Sequence, residues 1–190
     1  MIKGEDPMLQ TERLFFRRWE DGDAEVLFRW ARDPDVGPAA GWPPHRDAAE
    51  SLAVIRHVFN EPECRAICLK DGGMPVGTVE LMLNGRSDLT ARADECELGY
   101  WLAKPFWGRG LMPEAVREIL RRAFEDLCMA TVWCGYYEGN DKSKRVQEKC
   151  GFRHRGSGTV AVPLMGETRT RHVTSLSREE WLRGRAGTAT

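Results

Sequence analysis

The sequence predicts a mixed α/β fold in which one β-sheet is covered by helices on both faces. Segments with strand and helix periodicities alternate through the middle of the chain, whereas paired strand patterns separated by short turns lie toward both ends. The chain has 190 residues, of which 42% are hydrophobic and 30% are charged, which suits one globular domain with a full core. We therefore expect a single domain over residues 1–190, with loose ends at 1–7 and 184–190.

The first part of the chain predicts a strand followed by two helices. Charged and apolar residues alternate along Arg13–Trp19, which indicates a strand. The next segment has a helical pattern that ends before Pro34, because the residue preceding a proline avoids helical geometry. A loop is predicted at Pro38–His45, and a second helix follows it. The side chains suited to capping these two helices are Asp21 or Asp23 for the first and Asp47 for the second.

A β-hairpin is predicted next, because two apolar segments flank a strong turn signal at Asp71-Gly72-Gly73. Its strands are expected at Cys64–Lys70 and Met74–Leu83. The segment Asn84–Asp94 that follows is polar and is predicted to be turn-like.

A strand, a glycine turn and a helix are predicted after this polar segment. Glu95–Ala103 is rich in aromatic and apolar residues and is ended by Pro105. Gly108 and Gly110 then form a turn, and apolar residues spaced by three or four predict a helix of about four turns, reaching Leu127. Unpaired backbone N–H groups at such a helix start suit a phosphate or pyrophosphate. Because neither the dinucleotide fingerprint nor a P-loop is present, another phosphate-bearing ligand is implied.

The last part of the chain predicts a strand, a short helix and a final hairpin. Ala130–Tyr137 has the pattern of a strand, and Asn140 is expected to cap a helix that stops at Gly151. Phe152–Leu176 then holds two further strands that turn near Met165-Gly166-Glu167.

Composition argues against several classes of partner and site. The net charge of −1 disfavours wholesale binding to nucleic acid or anionic membranes. No apolar run approaches the roughly 18 residues of a membrane span, and the first ten residues lack a signal-peptide core, so we expect a cytoplasmic protein. The six cysteines form no C-x-x-C pair and lie in apolar segments, so we expect reduced, buried thiols and no metal site.

Several motifs occur along the chain in a characteristic order. They are Thr11-Glu12-Arg13-Leu14, Asp33-Pro34, Leu98-Gly99-Tyr100-Trp101-Leu102, Trp107-Gly108-Arg109-Gly110 with Glu114-Ala115, Asn140 with Ser143, Glu148-Lys149-Cys150-Gly151-Phe152, and Glu179-Glu180-Trp181. Together they resemble the GNAT superfamily of acyl-CoA-dependent N-acetyltransferases, in particular the branch of ribosomal-protein serine and alanine N-terminal acetyltransferases. This resemblance implies a mixed, mostly antiparallel sheet of about seven strands, splayed at the acyl-CoA site.

The resemblance implies acetyl-CoA as co-substrate, with no metal, held mainly by the main chain. The pantetheine arm would lie along a strand as an added strand would, and the pyrophosphate would lie on the glycine turn. The residues so assigned are Tyr100 and Leu102 for the arm, Gly108, Arg109, Gly110, Leu111 and Met112 for the pyrophosphate, and Asn140 for a further pantetheine contact. One or two members of the basic run around Lys142 and Lys149 are expected at the 3′-phosphate.

Two residues are predicted to be catalytic by their match to the family. Glu97 occupies a strand position where many members carry a carboxylate, and we expect it to accept the amine proton through water. Attraction of a cationic substrate or pairing with an arginine is the alternative for Glu97. Ser143 matches a serine that acts on the leaving thiolate in the ribosomal-protein branch, although a serine in a first helical turn also bonds the backbone. Since Gln147 stands where many members carry the acidic tyrosine, Tyr136 and Tyr137 are the fallback acids.

The acceptor side is less closely defined by the sequence. In the family, the region around Trp42 and His45 flanks the acceptor cleft, and Glu95 precedes Glu97 on the same face, so these three residues are candidates for substrate contact. Ordinary loop packing is the alternative for Trp42 and His45.

The resemblance favours a protein or peptide N-terminal α-amine as acceptor, attacked directly in a ternary complex. A small amine, such as a polyamine, an amino acid or an aminoglycoside, is the first alternative, because Arg171 or His172 stands where the resembling branch often has Asp. A non-catalytic CoA-binding sensor is the second alternative. We expect a monomer or homodimer, with no membrane or specific nucleic-acid partner.

Overall fold

The protein is seen in a computed structural model that describes residues 9–83 and 85–186. The described chain forms one eight-stranded sheet with six α-helices, which confirms the mixed α/β prediction. The loose ends expected at 1–7 lie outside the described residues, as do 187–190, whereas Gly184 to Ala186 continue the last helix.

The predicted helices and strands occur in the predicted order, and the structure adds one strand and two helices, namely β1, α2 and α6 in the numbering below. The strands are β1 (Leu9–Gln10), β2 (Leu14–Arg17), β3 (Cys64–Leu69), β4 (Pro75–Met82), β5 (Glu95–Leu102), β6 (Thr131–Tyr137), β7 (Arg153–Val162) and β8 (Glu167–Ser177). The helices are α1 (Ala24–Ala31), α2 (Gly37–Ala40), α3 (Ala48–His57), α4 (Leu111–Arg121), α5 (Asp141–Lys149) and α6 (Arg178–Ala186). The strand order in the sheet is β1-β2-β3-β4-β5-β6-β8-β7.

The pairing of β5 with β6 is parallel, and all other neighbouring strands of the described sheet are antiparallel. The parallel pairing extends over four residues only, from Glu95 opposite Thr131 to Leu98 opposite Cys134. Both strands continue beyond these pairs without bonding to each other, so the sheet opens between the second half of β5 and the end of β6. This opening positions the site.

Helix α4 packs its apolar face against the sheet. Its buried residues are Leu111, Met112, Ala115, Val116, Ile119 and Leu120, which recur at the spacing of one helix face. A π-helical turn at Arg122–Asp126 prolongs the helix, so the predicted apolar pattern to Leu127 is realised in two forms of helix. The start of α4 is tied to β1 and β2, because Glu114 accepts hydrogen bonds from Thr11 Oγ1 (2.5 Å) and Arg13 Nε (2.7 Å).

The predicted loop at Pro38–His45 is partly helical, which corrects the sequence interpretation. Its first residues belong to the short helix α2, in which Pro38 supplies a preset φ and Gly41, at φ 93°, ends the turn. The ring of Trp42 lies against Gly37, where a Cβ would come within 2.4 Å of the ring. Only glycine at position 37 therefore allows this packing.

All six cysteines carry free thiols, and their burial is uneven. Cys64, Cys68, Cys96 and Cys134 are buried, and Cys150 is half-buried. Burial raises the pKa of Cys96 to about 12. Cys128 is exposed, contrary to the expectation of buried thiols, because the chain turns there with φ 58° after the π-helical segment. In the two described ranges, no helix has both the length and the apolar character needed to cross a membrane.

Candidate active site

A cleft of about 830 Å³ lies where β5 and β6 separate. Its walls come from the diverging strands, the turn before α4, the start of α5, and α2 with the residues just before it. The predicted site residues that line it are Glu97, Tyr100, Leu102, Gly108, Gly110, Leu111, Met112, Asn140 and Ser143. The structure thus brings residues from three separate parts of the chain to one opening in the sheet.

The glycine turn forms the end of the cleft next to α4. Gly108 has φ 74° and Gly110, which is the N-cap of α4, has φ 75°, a region that residues with a Cβ avoid. A Cβ added at Gly108 would meet no protein atom within 4 Å, so the turn presents its backbone openly. Arg109 contributes backbone here, since its carbonyl accepts from Arg13 Nη1 (3.0 Å) and its guanidinium lies over the Phe106 ring. The turn fits an anion bound by main-chain N–H groups.

The open edge of β5 is the second feature of the cleft. The Leu98 carbonyl accepts from Cys134 Sγ (3.2 Å) and the Leu102 carbonyl accepts from Trp107 Nε1 (2.7 Å). Because main-chain groups of alternate strand residues face the same edge, the N–H and C=O of Tyr100 also face the opening, between these two. Tyr100 therefore offers a free donor and acceptor to an extended ligand, whereas the Leu102 carbonyl already has a partner.

Ser143 lies in a network of polar side chains at the start of α5. Its Oγ is 2.9 Å from the Tyr100 hydroxyl and accepts from Gln147 Nε2 at 3.1 Å. The orientation of the Gln147 amide is fixed, because Thr174 Oγ1 donates to its Oε1 (2.7 Å) and its Nε2 also donates to the Gly135 carbonyl. Ser143 thus accepts on its oxygen and retains its own proton for donation.

The phenol of Tyr100 supports this arrangement by remaining protonated. Burial raises the pKa of Tyr100 well above its ordinary value. Its hydroxyl lies near both the Oγ and the backbone carbonyl of Ser143, the latter at 3.2 Å. A neutral phenol can donate to Ser143 Oγ, whose second lone pair accepts from Gln147, so the serine proton stays available to another acceptor.

Asn140 acts as the helix cap that the sequence predicts. Its Oδ1 accepts from the backbone N–H of Ser143 (3.1 Å), and its Nδ2 donates to the Ala39 carbonyl (3.0 Å). One side chain therefore fixes the start of α5 and ties it to α2 across the cleft.

Glu97 lies on the other face of the sheet from Tyr100, because side chains alternate along β5. Its Oε2 accepts from Ser87 Oγ at 2.9 Å. Burial raises the pKa of Glu97, and the neighbouring Asp88 carboxyl group raises it further. The hydrogen bond from Ser87 and the charge of Arg171 lower it in part. Glu97 is thus a carboxyl group poised to hold a proton more readily than an exposed one.

Four predicted site residues do not line the cleft: Trp42, His45, Glu95 and Arg109. The Trp42 ring packs against Trp101, with ring centroids 6.0 Å apart, and His45 Nδ1 is 2.8 Å from Ser51 Oγ. Burial lowers the pKa of His45. Glu95 accepts from Trp133 Nε1 (2.7 Å) and Thr90 Oγ1 (2.6 Å). These partners hold Trp42, His45 and Glu95 behind the cleft wall.

Several polar residues of the site were not predicted. Arg169 and Arg171, from β8, line the cleft, and Gln147 orients Ser143 from behind it. Alternation of Arg169, Arg171 and Val173 along the last strand was the available signal for inward-facing arginines. On the α5 side, Lys142, Arg145 and Lys149 line the opening. Over the described ranges, no group of three or more His, Cys, Asp or Glu residues is arranged to hold a metal ion.

Comparison with known proteins gives one matching family. A family model described as an acetyltransferase (GNAT) domain matches residues 13–153. Among solved structures, an acetyltransferase (GNAT family) from Bacillus anthracis superposes with a TM-score of 0.78 at 18% identity, covering 90% of this chain and 99% of that chain. At this identity the likeness shows the fold alone.

Curated relatives align over part of their length. YdaF of Bacillus subtilis (strain 168), provisionally named a ribosomal N-acetyltransferase, is 34% identical over 87 residues, which is 46% of this chain and 48% of YdaF. The FsC-acetyl coenzyme A-N(2)-transacetylase of Aspergillus fumigatus is 35% identical over 96 residues, which is 48% of this chain and 40% of that protein. The chain thus spans about half the length of these relatives or less.

Proposed function

Because the chain belongs to the GNAT acetyltransferase family, we propose that it transfers an acetyl group from acetyl-CoA to a primary amine. The observation that carries this proposal is the cleft at the parted strands. It combines an anion-binding turn, a free strand edge, a hydroxyl donor on one face of the sheet and a carboxyl group on the other. The resemblance seen in the sequence is confirmed by the family match.

The residues of the cleft fit acetyl-CoA as the donor substrate. When bound, acetyl-CoA supplies a thioester that an amine can attack. The backbone N–H groups from Gly108 to Met112 would hold its pyrophosphate, and the main chain of Tyr100 with the N–H of Leu102 would bond its pantetheine arm. Lys142, Arg145 and Lys149 supply the positive charge for its remaining phosphate.

Glu97 would accept the proton of the acceptor amine. An α-amine with a pKa near 8 needs only about 1 to 1.5 kcal/mol to be neutral at pH 7, against about 4 to 5 kcal/mol for a lysine side chain. A carboxylate with a raised pKa is a sufficient base for the α-amine, either directly or through water. Attraction of a cationic acceptor is the second role open to Glu97.

The carbonyl oxygen of the thioester would be stabilised by a backbone N–H of β5. Gly99 pairs with Glu80 on β4, and the alternation of main-chain groups directs its N–H toward β4. The N–H groups of Leu98 and Tyr100 face the opposite edge, and we assign the oxyanion contact to one of them.

Ser143 would donate a hydrogen bond to the leaving sulfur and help to protonate it, with a proton from solvent replacing the serine proton. Its oxygen already accepts from Gln147, and this directs the hydroxyl proton away from that amide. Transfer occurs directly between donor and acceptor, with no covalent enzyme species. Burial raises the pKa of Cys134, the thiol in the cleft wall, and a protonated thiol is a poor nucleophile.

A peptide or protein N-terminal α-amine is our first choice of acceptor, supported by the ribosomal name of YdaF. Polyamines, amino acids and aminoglycosides are the small-molecule alternatives, and a CoA sensor without catalysis is the other. We propose a cytoplasmic location and a monomeric or homodimeric assembly for the protein.

The experiment that tests the function is CoA thiol release from acetyl-CoA on a panel of amines. The panel contains peptides starting with Ser, Ala or Met, spermidine, amino acids and an aminoglycoside, and Ser143→Ala is assayed beside the wild type. We expect release with peptides and a loss of about 10²-fold in kcat for Ser143→Ala. The control Ser157→Ala changes an exposed serine of β7 outside the cleft and should keep full turnover.

Each outcome of this panel favours a different one of the proposed functions. Release with a small amine alone would move the function to metabolite or drug modification. Thermal stabilisation by CoA without release from any amine would favour the sensor. Unchanged turnover of Ser143→Ala would remove the serine from the mechanism.

A further inference from the structure

Arg171 reaches the cleft by crossing the strand beside its own. It lies opposite Tyr137 in the pairing of β6 with β8, and its side chain passes over Gly135. A Cβ at Gly135 would be 3.1 Å from Cδ of Arg171, closer than most side chains approach. Because residue 135 is glycine, the Arg171 side chain can cross β6 and place its guanidinium in the cleft between β5 and β6.

Within the described ranges, the guanidinium hydrogen-bonds one residue, and one of its buried donors has no partner. Its Nη1 bonds both oxygens of Asp88, at 3.0 and 2.9 Å. Its Nε is buried and has no hydrogen-bond partner. Leaving a buried donor unsatisfied is unfavourable, and native structures rarely do so away from functional sites. The Nε edge of Arg171 is the one that a planar oxygen-bearing group engages together with an Nη.

Asp88 is the partner that can be exchanged. It belongs to the polar segment before β5, and its side chain is 68% exposed, whereas that of Arg171 is 17% exposed. Asp88 also faces Glu97, and its carboxyl group contributes to the raised pKa of Glu97. A ligand oxygen on the Nε edge would satisfy the buried donor, and release of Asp88 from Nη1 would relieve this crowding.

We propose that Arg171 binds a carbonyl or carboxylate oxygen on the carbon next to the acceptor amine, in place of Asp88, while Glu97 faces the amine. This inference rests on the proposed function and narrows its acceptors. α-Amino acids and peptide N termini carry such an oxygen, whereas polyamines and aminoglycosides do not. Arg171 is then the residue that determines acceptor specificity.

Serinamide and ethanolamine test this inference, because they share the amine and the hydroxyl and differ in the carboxamide. Since the carboxamide also lowers the pKa of the amine, kcat/KM is calculated per neutral amine for both. We expect wild-type kcat/KM to favour serinamide by about 10- to 100-fold, the range of one hydrogen bond to a charged group. Arg171→Met should remove most of that preference, and its effect on the pKa of Glu97 acts on both amines and cancels in the ratio. Arg153→Met, on the exposed part of β7, removes an equal charge and should keep the preference. Free serine and a Ser-initiated peptide then distinguish an amino acid from a peptide as the natural source of the oxygen.

Asp88→Ala provides an independent variant on an exposed segment, so it tests the exchange without disturbing the core. It should lower KM for serinamide relative to ethanolamine; comparing the two amines cancels its effect on Glu97. Equal kcat/KM for both amines in the wild type, or equal losses in Arg171→Met, would overturn the inference while leaving acetyl transfer intact. An unchanged ratio in Asp88→Ala would overturn the exchange. No thiol release from any amine would overturn the proposed function itself.

Discussion

Glu97 has surroundings that predict both a pH-dependent rate and a pH-dependent stability. Burial raises its pKa, with Asp88 adding to the shift and Ser87 and Arg171 opposing it. A base must be ionised to accept a proton, so activity should rise as pH rises through this elevated pKa. Glu97→Gln should lower kcat by about 10²-fold and remove this acidic limb, leaving a rate that follows the amine pKa near 8. The measurement is kcat from about pH 6 to 9.

The same substitution has an expected sign for stability. A folded-state pKa above the unfolded value stabilises the fold in acid, and that contribution is lost as pH rises through the folded pKa. Glu97→Gln should therefore be more stable than the wild type in urea at neutral pH, with the difference vanishing in acid. Glu95→Gln, two residues earlier, is the matched control and should keep wild-type kinetics. Full activity of Glu97→Gln over this pH range would rule out the base.

The sequence identified some residues of the site and missed others for a physical reason. Glu97 and Ser143 were predicted because they match positions of the family's motifs, and both line the cleft. The orientation of Gln147 depends on its hydrogen bond from Thr174. The position of Arg171 depends on its close approach to Gly135 and its hydrogen bond to Asp88. These contacts join residues far apart in the chain, and local periodicity carries no information about them.

At the scale of the elements, substitutions in the glycine turn before α4 distinguish backbone strain from loss of CoA binding. Gly108 has φ 74° and Gly72, in the hairpin between β3 and β4, has φ 81°. Alanine at either position should lower the free energy of unfolding by about 1 to 2 kcal/mol, because both would place a Cβ in the left-handed region. Gly108→Ala should in addition lose most of the thermal stabilisation by CoA, since its methyl group would stand in the cleft.

Gly72→Ala serves as the control for backbone strain, since that turn does not line the cleft. Thermal shifts on adding CoA would be measured for both variants at equal ligand concentration. If Gly108→Ala retained the wild-type shift, the pyrophosphate would have to bind elsewhere.

Most of the longer elements were predicted from the sequence, apart from the last helix α6, and the shortest were not. Helix α3 begins where Asp47 accepts from Glu50 N–H (2.7 Å), and β3 and β4 flank the predicted glycine turn. The two-residue strand β1 and the four-residue helix α2 have too few residues to show a period. They form because Leu9 pairs with Phe16 and because Trp42 packs on Gly37.

For the molecule as a whole, charge is balanced overall but concentrated locally. The net charge is −1, yet Lys142, Arg145 and Lys149 share one side of the cleft. Acetyl-CoA binding should therefore weaken several-fold between about 0.05 and 0.5 M salt, because these exposed charges are screened. Binding of S-acetylpantetheine, which lacks the nucleotide phosphates, should change little. Isothermal titration with both ligands measures the difference.

Equal salt dependence of the two ligands would contradict this local charge effect. Lys144→Gln is a suitable control, since this lysine belongs to α5 but does not line the cleft. It should leave the salt dependence of acetyl-CoA binding nearly unchanged.

The short parallel pairing of β5 with β6 also has a mechanical consequence. The described sheet is joined there by four residue pairs at one end of the strands, and it is open at the other. From Leu98 to Leu102 the edge of β5 that faces β6 is unpaired over about 13 Å, at about 3.3 Å per residue, while its other edge stays paired with β4. A small rotation of one half of the sheet relative to the other, about the paired end, therefore produces a larger displacement at the open end. Substitutions that change the backbone pairing of Cys96 with Val132 should widen or narrow the opening around the acyl group without contacting it.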